Sequence, residues 1–289
     1  MWPKYKEVIG MIIRILQVLT YIVGCIRLGV KPWLFFQLNA PYFNEVKGIY
    51  SKLDIDRLIP DRWRLQQFMD VGGREPSQYP VFVKPEWGQN SYGIECANNL
   101  QELNQIRQAR GESKFNYLIQ HAALEKIEFE IFMIADHTDL SRAAVLSITQ
   151  VHNRCEDEFP INGIHNGDTY YVDISHKLTS EQTEKLWENL SKIGTFRIAR
   201  FGLRANSIDD MVKGDFHIIE INLLFPMPLL LISQGRTFRK NWQFIKMAMN
   251  HLIKVTKTIP PQQAAKSIFM RNAWYNQKLK IKVQSESPE

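Results

Sequence analysis

The sequence predicts a globular fold that mixes helices with short strands, and three observations carry the prediction. The 289 residues are 45% apolar and 23% charged, enough to bury a core in one large domain or two smaller ones. Short runs rich in β-branched and aromatic residues recur from Tyr79 to Asn222. Longer stretches with helical periodicity and capping residues lie between and around them.

Val8 to Val30 is the most hydrophobic run, interrupted by Arg14, Gln17 and Arg27. Polar or small residues at 14, 17, 21, 24, 27 and 31 trace a narrow stripe along an otherwise apolar helix. Its stretch without charge, Ile15 to Ile26, is 12 residues, too short to span a bilayer comfortably. A helix packed on the domain is the first reading, and one lying in a membrane surface or docked on a partner the second. No small-residue cleavage site follows, which argues against a secretory signal. Lys31-Pro32 breaks the helix, and Trp33 to Pro41 reads as a buried connector.

Tyr50 to Pro60 reads as a short helix stopped by proline, with Lys52 at its start. Tyr79 to Pro85 is a β-rich run ending in Lys84, followed by a loop in which Gly88 and Gly93 flank Ser91. A strand-borne lysine beside a loop offering backbone N–H groups is a phosphate cradle in outline, because glycines permit close approach. It is not a Walker loop, since no GxxxxGK[ST] occurs. Leu100 to Arg110 is a polar-faced helix, and Tyr117 to Gln120 and Glu128 to Ile134 are strands, with Glu128 and Glu130 on one face.

Val145 to Val151 and Tyr170 to Ile174 are further strands, joined by a loop rich in Asn, Gly and His at 162–168. Thr179 to Phe196 is a helix with a good N-cap. Arg200 to Arg204, a polar turn and Phe216 to Asn222 follow. Alternation puts Phe216, Ile218, Glu220 and Asn222 on one face of that last strand, so a carboxylate sits beside a carboxamide. Oxygen donors of this kind suit a hard divalent cation. Gln234 to Lys257 is an amphipathic helix, a basic helical segment runs from about Gln262 to Lys282, and Ser285 to Glu289 reads as a disordered end.

Cys25, Cys96 and Cys155 are far apart and form no CxxC pair, which favours reduced thiols in a cytoplasmic setting over a disulfide scaffold or zinc ribbon. His121, His165 and His217 form no HExxH or HxxxH pair, so no zinc site is expected. Tryptophans 87, 187, 242 and 274 read as core or interface anchors. Residues 236–289 carry eleven Lys/Arg against two Glu, a local +9, and residues 1–36 carry five against one. Basic ends therefore flank an acidic middle. They suit an anionic membrane surface or a protein partner, against the plainer reading of two solvated helical faces. Without an RNA- or DNA-reading motif, nucleic acid is the least favoured partner.

The order lysine, strand lysine with glycine loop, Gln before an acidic strand, arginine strand, then Glu-x-Asn resembles the ATP-grasp superfamily, in its branch near the D-alanine–D-alanine ligases. Val83-Lys84-Pro85 with Gly88, Ser91 and Gly93 is similar to the family's second nucleotide lysine and mobile glycine loop. Gln120, His121 and Ala122 resemble the hinge that receives the adenine, and Glu128 sits where a ribose-binding glutamate is expected. Arg200 resembles the arginine that steadies the transferred phosphoryl group, Glu220 and Asn222 the closing metal pair, and Lys52 the first nucleotide lysine. The implied fold is α+β, two lobes with antiparallel sheets gripping ATP. The implied division is an N-terminal helix and connector (1–45), a first lobe (46–117), a second lobe (118–235) and basic C-terminal helices (236–289).

The resemblance implies ATP and Mg2+ as cofactors and small-molecule carboxylate and amine substrates for an ADP-forming ligase, with the chain cytoplasmic or peripheral to a membrane, and a homo-oligomer among the arrangements open to it. Two departures stand out. Gly202 occupies the place of a metal-binding aspartate, and only about 50 residues precede Lys52, so the acceptor is expected to be held by the C-terminal segment, a second subunit or a partner. Glu128, Glu130 or a water could make good the missing carboxylate. Two other readings follow: a nucleotide-binding or scaffold protein that has lost catalysis, and an ATP-grasp phosphotransferase.

Overall fold

Alternation in the strand segments resolves into two antiparallel sheets in the computed structural model, which describes residues 2–88, 91–111, 116–155 and 157–274. The first sheet has the order β1 (Gln67–Met69), β4 (Tyr117–His121), β2 (Val81–Pro85), β3 (Glu95–Ala97). Helix α3 (Leu100–Arg110), capped where Asn99 accepts from the Glu102 amide, lays Leu103 and Ile106 on Phe68, Val81, Val83 and Ile119. That covers one face of the sheet. The opposite face carries Lys84 and Gln120 toward the second sheet.

The second sheet has the order β7 (Thr169–Asp173), β6 (Ala143–Asn153), β5 (Ile127–Ala135), β8 (Ile198–Ala205), β9 (Phe216–Asn222). Phe129, Ile131 and Met133 of β5 and Phe201 and Leu203 of β8 point into a core shared with α4 (Ser180–Leu190), Met211 and Val212 of α5 (Ile208–Lys213), and the fully buried Trp63. The even-numbered residues of β5 face the other way. Phe132 and Ile134 meet α1 (Trp2–Arg27) and α6 (Phe238–Lys257), while Glu128 and Glu130, further along the strand, open onto the first sheet. A single sheet face is thus apolar at one end and acidic at the other.

Several expectations are corrected. In β9 the pairing runs Gly202↔Glu220 and then Leu203↔Ile218, so a bulge at Ile219 leaves that residue without a partner. The bulge resets the alternation: Phe216, Ile218 and Ile221 enter the core, and Glu220 and Asn222 turn to the cleft. The four residues expected on one face are therefore divided between two. Helix α4 stops at Leu190, short of Phe196, with the chain leaving through turns before Gly194. Helix α6 starts at Phe238, after its Thr237 cap, not at Gln234.

The polar turn before β9 contains α5, and strands β1 and β3 were not anticipated because each has only three residues. Residues 262–267 are not helical and a helix begins at 268; the rest of the expected basic helix, and the 285–289 end, lie outside the described residues. Because β4 is an interior strand of the first sheet, the change of sheets falls at 122–126, not at 118. Trp33 is exposed, unlike most of its connector. In α1, Ile9–Arg27 is long and apolar enough to cross a membrane by length and composition, because the helix continues past Arg14 on both sides.

Candidate functional site

The end of β2 and the start of α2 (Lys52–Asp56) are tied together by Glu86. Its carboxylate accepts from Ser51 Oγ at 2.5 Å, Lys47 Nζ at 2.5 Å and Asn116 Nδ2 at 3.1 Å. Burial pushes that carboxyl up, but these donors outweigh it and hold the group below its ordinary range. The tie sets Lys52 beside the strand, with Nζ donating to Pro85 O at 3.1 Å. A Cβ on Gly88 would stand 3.1 Å from the Pro85 ring and 4.0 Å from Lys52 Nζ, so the glycine keeps this approach open.

Lys84 is buried, and its Nζ donates to Gln120 Oε1 at 2.8 Å and to Ile219 O at 3.3 Å. Gln120 Nε2 reaches the same carbonyl at 3.4 Å. Residue 219 belongs to the second sheet, so both contacts cross between sheets. Burial, reinforced by the like charge of Lys52, lowers the Lys84 ammonium to about 7, with Glu220 and Asp56 opposing. Lys52 is also lowered, by burial, against the pull of Glu220.

Across from these lysines, Arg200 on β8 places Nε 2.9 Å from Glu130 Oε2 and Nη2 3.6 Å from Glu220 Oε1. The Glu130 contact is at ion-pair distance but off the hydrogen-bond angle, so both atoms keep unmet bonding capacity. Asn222 Nδ2 donates to Glu220 Oε1 at 2.7 Å. Burial raises Glu130, and the neighbouring Glu220 and Glu128 reinforce it against Arg200. Glu220 goes the other way, because Arg200, Lys52, Asn222 and Lys84 together overcome its burial. Burial raises Glu128 to about 7 although Asn162 Nδ2 donates to it at 2.8 Å.

Gly202 lies between Glu130 and Glu220 in register, on the strand that separates theirs. A Cβ there would meet Glu220 Cγ at 3.2 Å and Glu130 Oε1 at 3.4 Å. The space beside Gly202 is therefore bordered by a carboxylate from the next strand. The glycine loop reaches the same region, with Ser91 Oγ donating to Asn162 O at 2.6 Å and the Tyr92 ring 5.1 Å from that of His165. Ser91 and Gly93 both adopt positive φ, 60° and 69°, which the glycine accepts freely.

Lys52, Lys84, Gln120, Arg200, Glu220 and Asn222 are thus brought into one connected cluster, with Glu128 and Ser91 at its edge. His121 and Ala122 stand apart from it. The amide of His121 donates to Gln66 O and that of Ala122 to Pro80 O, at 3.0 and 3.1 Å, and Arg204 fixes the following segment through Ala123 O at 3.0 Å. Asn162 and Tyr171, which line the cleft, were not singled out from the sequence; the Asn- and Gly-rich composition of 162–168 was the available signal. Burial raises the Tyr171 phenol.

One cavity lies within the cluster and a second stands apart from it. The first, of about 30 Å³, is enclosed by Ser91, Glu128, Glu130, Asn162, Tyr171, Arg200 and Glu220. The other, about 510 Å³, lies between α2 and β1 and is lined by Asp56, Arg57, Arg64, Gln67 and Phe68 among others. The larger space touches none of Lys84, Arg200, Glu220 or Asn222, so volume and chemistry separate here. Among the described residues, no three His, Cys, Asp or Glu side chains are grouped to enclose a metal ion by themselves.

No protein-family model matches the sequence, and no match is found among curated proteins. Solved structures do show a likeness. D-alanine–D-alanine ligase from Bacillus anthracis is 14% identical over 78% of this chain and 69% of that one, with a TM-score of 0.46. VanG D-Ala:D-Ser ligase from Enterococcus faecalis is 12% identical over 75% and 70%, with a TM-score of 0.48. L-amino acid ligase from Bacillus licheniformis is 15% identical, with a TM-score of 0.43, over 76% of this chain and half of that one.

Proposed function

We propose that the chain is an ATP-dependent, ADP-forming ligase that joins a carboxylate to an amine through an acyl phosphate. The observation that carries this reading is the meeting of Lys52 and Lys84, from the first sheet's side, with Arg200, Glu220 and Asn222 of the second in one buried cluster. Such a set of paired cations and oxygen donors, withdrawn from water, suits a polyphosphate undergoing transfer. The order of these residues along the chain, which resembles that of ATP-grasp ligases, supports the same conclusion.

In this reading Lys52 and Lys84 offset the phosphate charge. Arg200 follows the γ-phosphoryl group as it passes to a substrate carboxylate oxygen and ADP departs. The amine then attacks the acyl carbon and inorganic phosphate leaves. Gly88, Ser91 and Gly93 belong to the segment that covers the intermediate and excludes water. Bound magnesium would neutralise phosphate oxygens. Glu220 and Asn222 would hold it, which fits a small hard cation that uses one or two protein carboxylates and completes its shell with phosphate and water. With Asn222 Nδ2 turned to Glu220 Oε1, the pair's other oxygens are its remaining donors. ATP as a substrate favours a cytoplasmic setting, and the three free cysteines agree with it.

The test is ADP release from purified protein supplied with panels of carboxylates and amines. Release that requires both, with a ligated product, supports the ligase. A phosphorylated acceptor formed without amine would show the phosphotransferase instead.

A second reading is favoured by one residue, Gly202. If Glu130 serves only to lock Arg200, the site binds nucleotide without turning it over, and the chain acts as a nucleotide-binding or scaffold protein. Calorimetric titration with a non-hydrolysable ATP analogue separates the two: binding that requires magnesium and is removed by Glu220→Ala supports the working site, whereas binding indifferent to magnesium supports the impaired one.

A further inference from the structure

We propose that the outward face of α1 is a docking surface for an anionic lipid bilayer, on which the helix lies in the plane of the membrane. The inner face of the helix is committed to the protein. Ile13, Tyr21 and Cys25 are buried in the core shared with α6, and Tyr21 Oη lies 3.0 Å from Thr256 Oγ1. A Cβ on Gly24 would run into Ile253 Cδ1, so the two helices are in direct contact there.

The outer face is apolar and uncovered. Ile12, Ile15, Leu19, Val23 and Ile26 recur at helical spacing and are 46, 50, 54, 45 and 69% exposed, with Met11 and Val18 widening the stripe. So continuous an apolar strip is unusual on a surface that meets only water.

Charge selects the occupant. No Asp or Glu occurs from Val8 to Asn44. Arg27 and Lys31 are exposed where the helix ends, and Lys257, one residue past the Thr256 that meets Tyr21, is exposed as well. Trp33, 64% exposed, adds an amphipathic ring suited to the headgroup layer. A second copy docked through the same face with its helix parallel would bring cation against cation, with no Asp or Glu between Val8 and Asn44 to answer it. An anionic bilayer takes the apolar stripe into its acyl boundary and the cations into its headgroups.

The helix lies flat because its inner face is already used. A crossing helix would have to leave α6, stripping Tyr21, Cys25 and Ile13 of their packing and Tyr21 of its hydrogen bond. Lying flat needs only the face that is already bare.

The experiment is flotation of the full-length protein with vesicles of phosphatidylcholine alone, and with about one part in three of phosphatidylserine. The protein is expected to float with the anionic vesicles and be released by alkaline extraction. Reversing Arg27 and Lys31 (Arg27→Glu, Lys31→Glu) should weaken binding by roughly fivefold or more for each charge. Ile15→Asn with Leu19→Asn should abolish it at little cost to the thermal midpoint, since about half of each side chain is already in solvent. The proposal is overturned if the wild type ignores both vesicle types or if the asparagine variant floats equally well. It is overturned too if extraction fails, which would mean a spanning helix. A lipid-free dimer that the asparagine pair dissociates, with no flotation, would identify a second copy as the true occupant. None of these readouts depends on nucleotide turnover.

Discussion

Lys84 Nζ lies 3.3 Å from the carbonyl oxygen of Ile219, the residue that the β9 bulge leaves out of the strand ladder. An ammonium from one sheet thus finds a backbone acceptor in the other, freed by the irregularity that also turns Glu220 and Asn222 into the cleft. One local departure from strand geometry supplies both the partner for the lysine and the direction of the carboxylate.

Because Lys84 is buried and burial lowers its ammonium to about 7, its charge contributes little to holding the chain folded. Lys84→Met is expected to reduce ATP turnover by roughly a hundredfold or more while leaving the thermal midpoint unchanged or raised. Steady-state ADP release and thermal unfolding check the two halves separately. Full activity in the variant would exclude Lys84 from the chemistry.

Nucleotide phosphates brought beside Lys84 should raise its pKa from about 7, so binding is expected to take up protons near neutral pH. Titrating the magnesium-free analogue in buffers of different ionisation enthalpy measures this uptake. It should diminish in Lys84→Met and fade below pH 6, where the lysine is already charged before binding.

Gly202→Asp introduces a carboxylate at a position where even a Cβ meets Glu220 Cγ at 3.2 Å and Glu130 Oε1 at 3.4 Å. Crowding and added negative charge beside the buried Glu130 and the partly exposed Glu220 should cost about 1–3 kcal/mol of stability, measured by denaturant unfolding. Combining it with Glu130→Gln should recover part of that loss. If Glu130 supplies the missing carboxylate, Glu130→Gln alone should raise the magnesium concentration needed for half-maximal turnover.

His217 Nδ1 lies 2.6 Å from Glu125 Oε1. That hydrogen bond raises the imidazole above its ordinary pKa against its burial, and the Glu125 carboxyl is lowered because the same contact outweighs burial. The sign for the histidine is definite: its contribution to stability is complete below the unfolded pKa of about 6.5 and is lost as pH rises through the raised folded value. The glutamate contributes above its unfolded value, about 4.3, and is lost toward acid. Thermal midpoints of wild type should therefore fall relative to His217→Gln as pH rises from about 6.5 through the raised folded value, and the variant's profile should be flatter there.

Much of this was legible in the residues. Leu100–Arg110 could be bounded at both ends because its cap, periodicity and terminal glycine agree, and the long strands announced themselves by β-branched content. The short β1 and β3 could not, since three residues show no period. The bulge at Ile219 left no mark either: Ile218, Ile219 and Ile221 are chemically alike, and only the pairing with β8 decides which is left over. For the site, side-chain type and order pointed to Lys84, Arg200, Glu220 and Asn222. The engagement of Arg200 by Glu130 depends on a cross-strand register that no local pattern encodes.

The cavity among Arg200, Glu220 and Glu130 measures about 30 Å³, space for roughly one water. A nucleotide whose phosphates enter this space does so in molecules where Lys84 and Gln120 have left Ile219 and Ser91 has left Asn162. Its measured affinity is the intrinsic affinity reduced by the fraction of molecules that are open. Ser91→Ala, which removes the hydroxyl that bridges to Asn162 O while leaving the loop's backbone N–H groups in place, should then tighten nucleotide binding even as it weakens the fold, so affinity and stability move in opposite directions across the same seam.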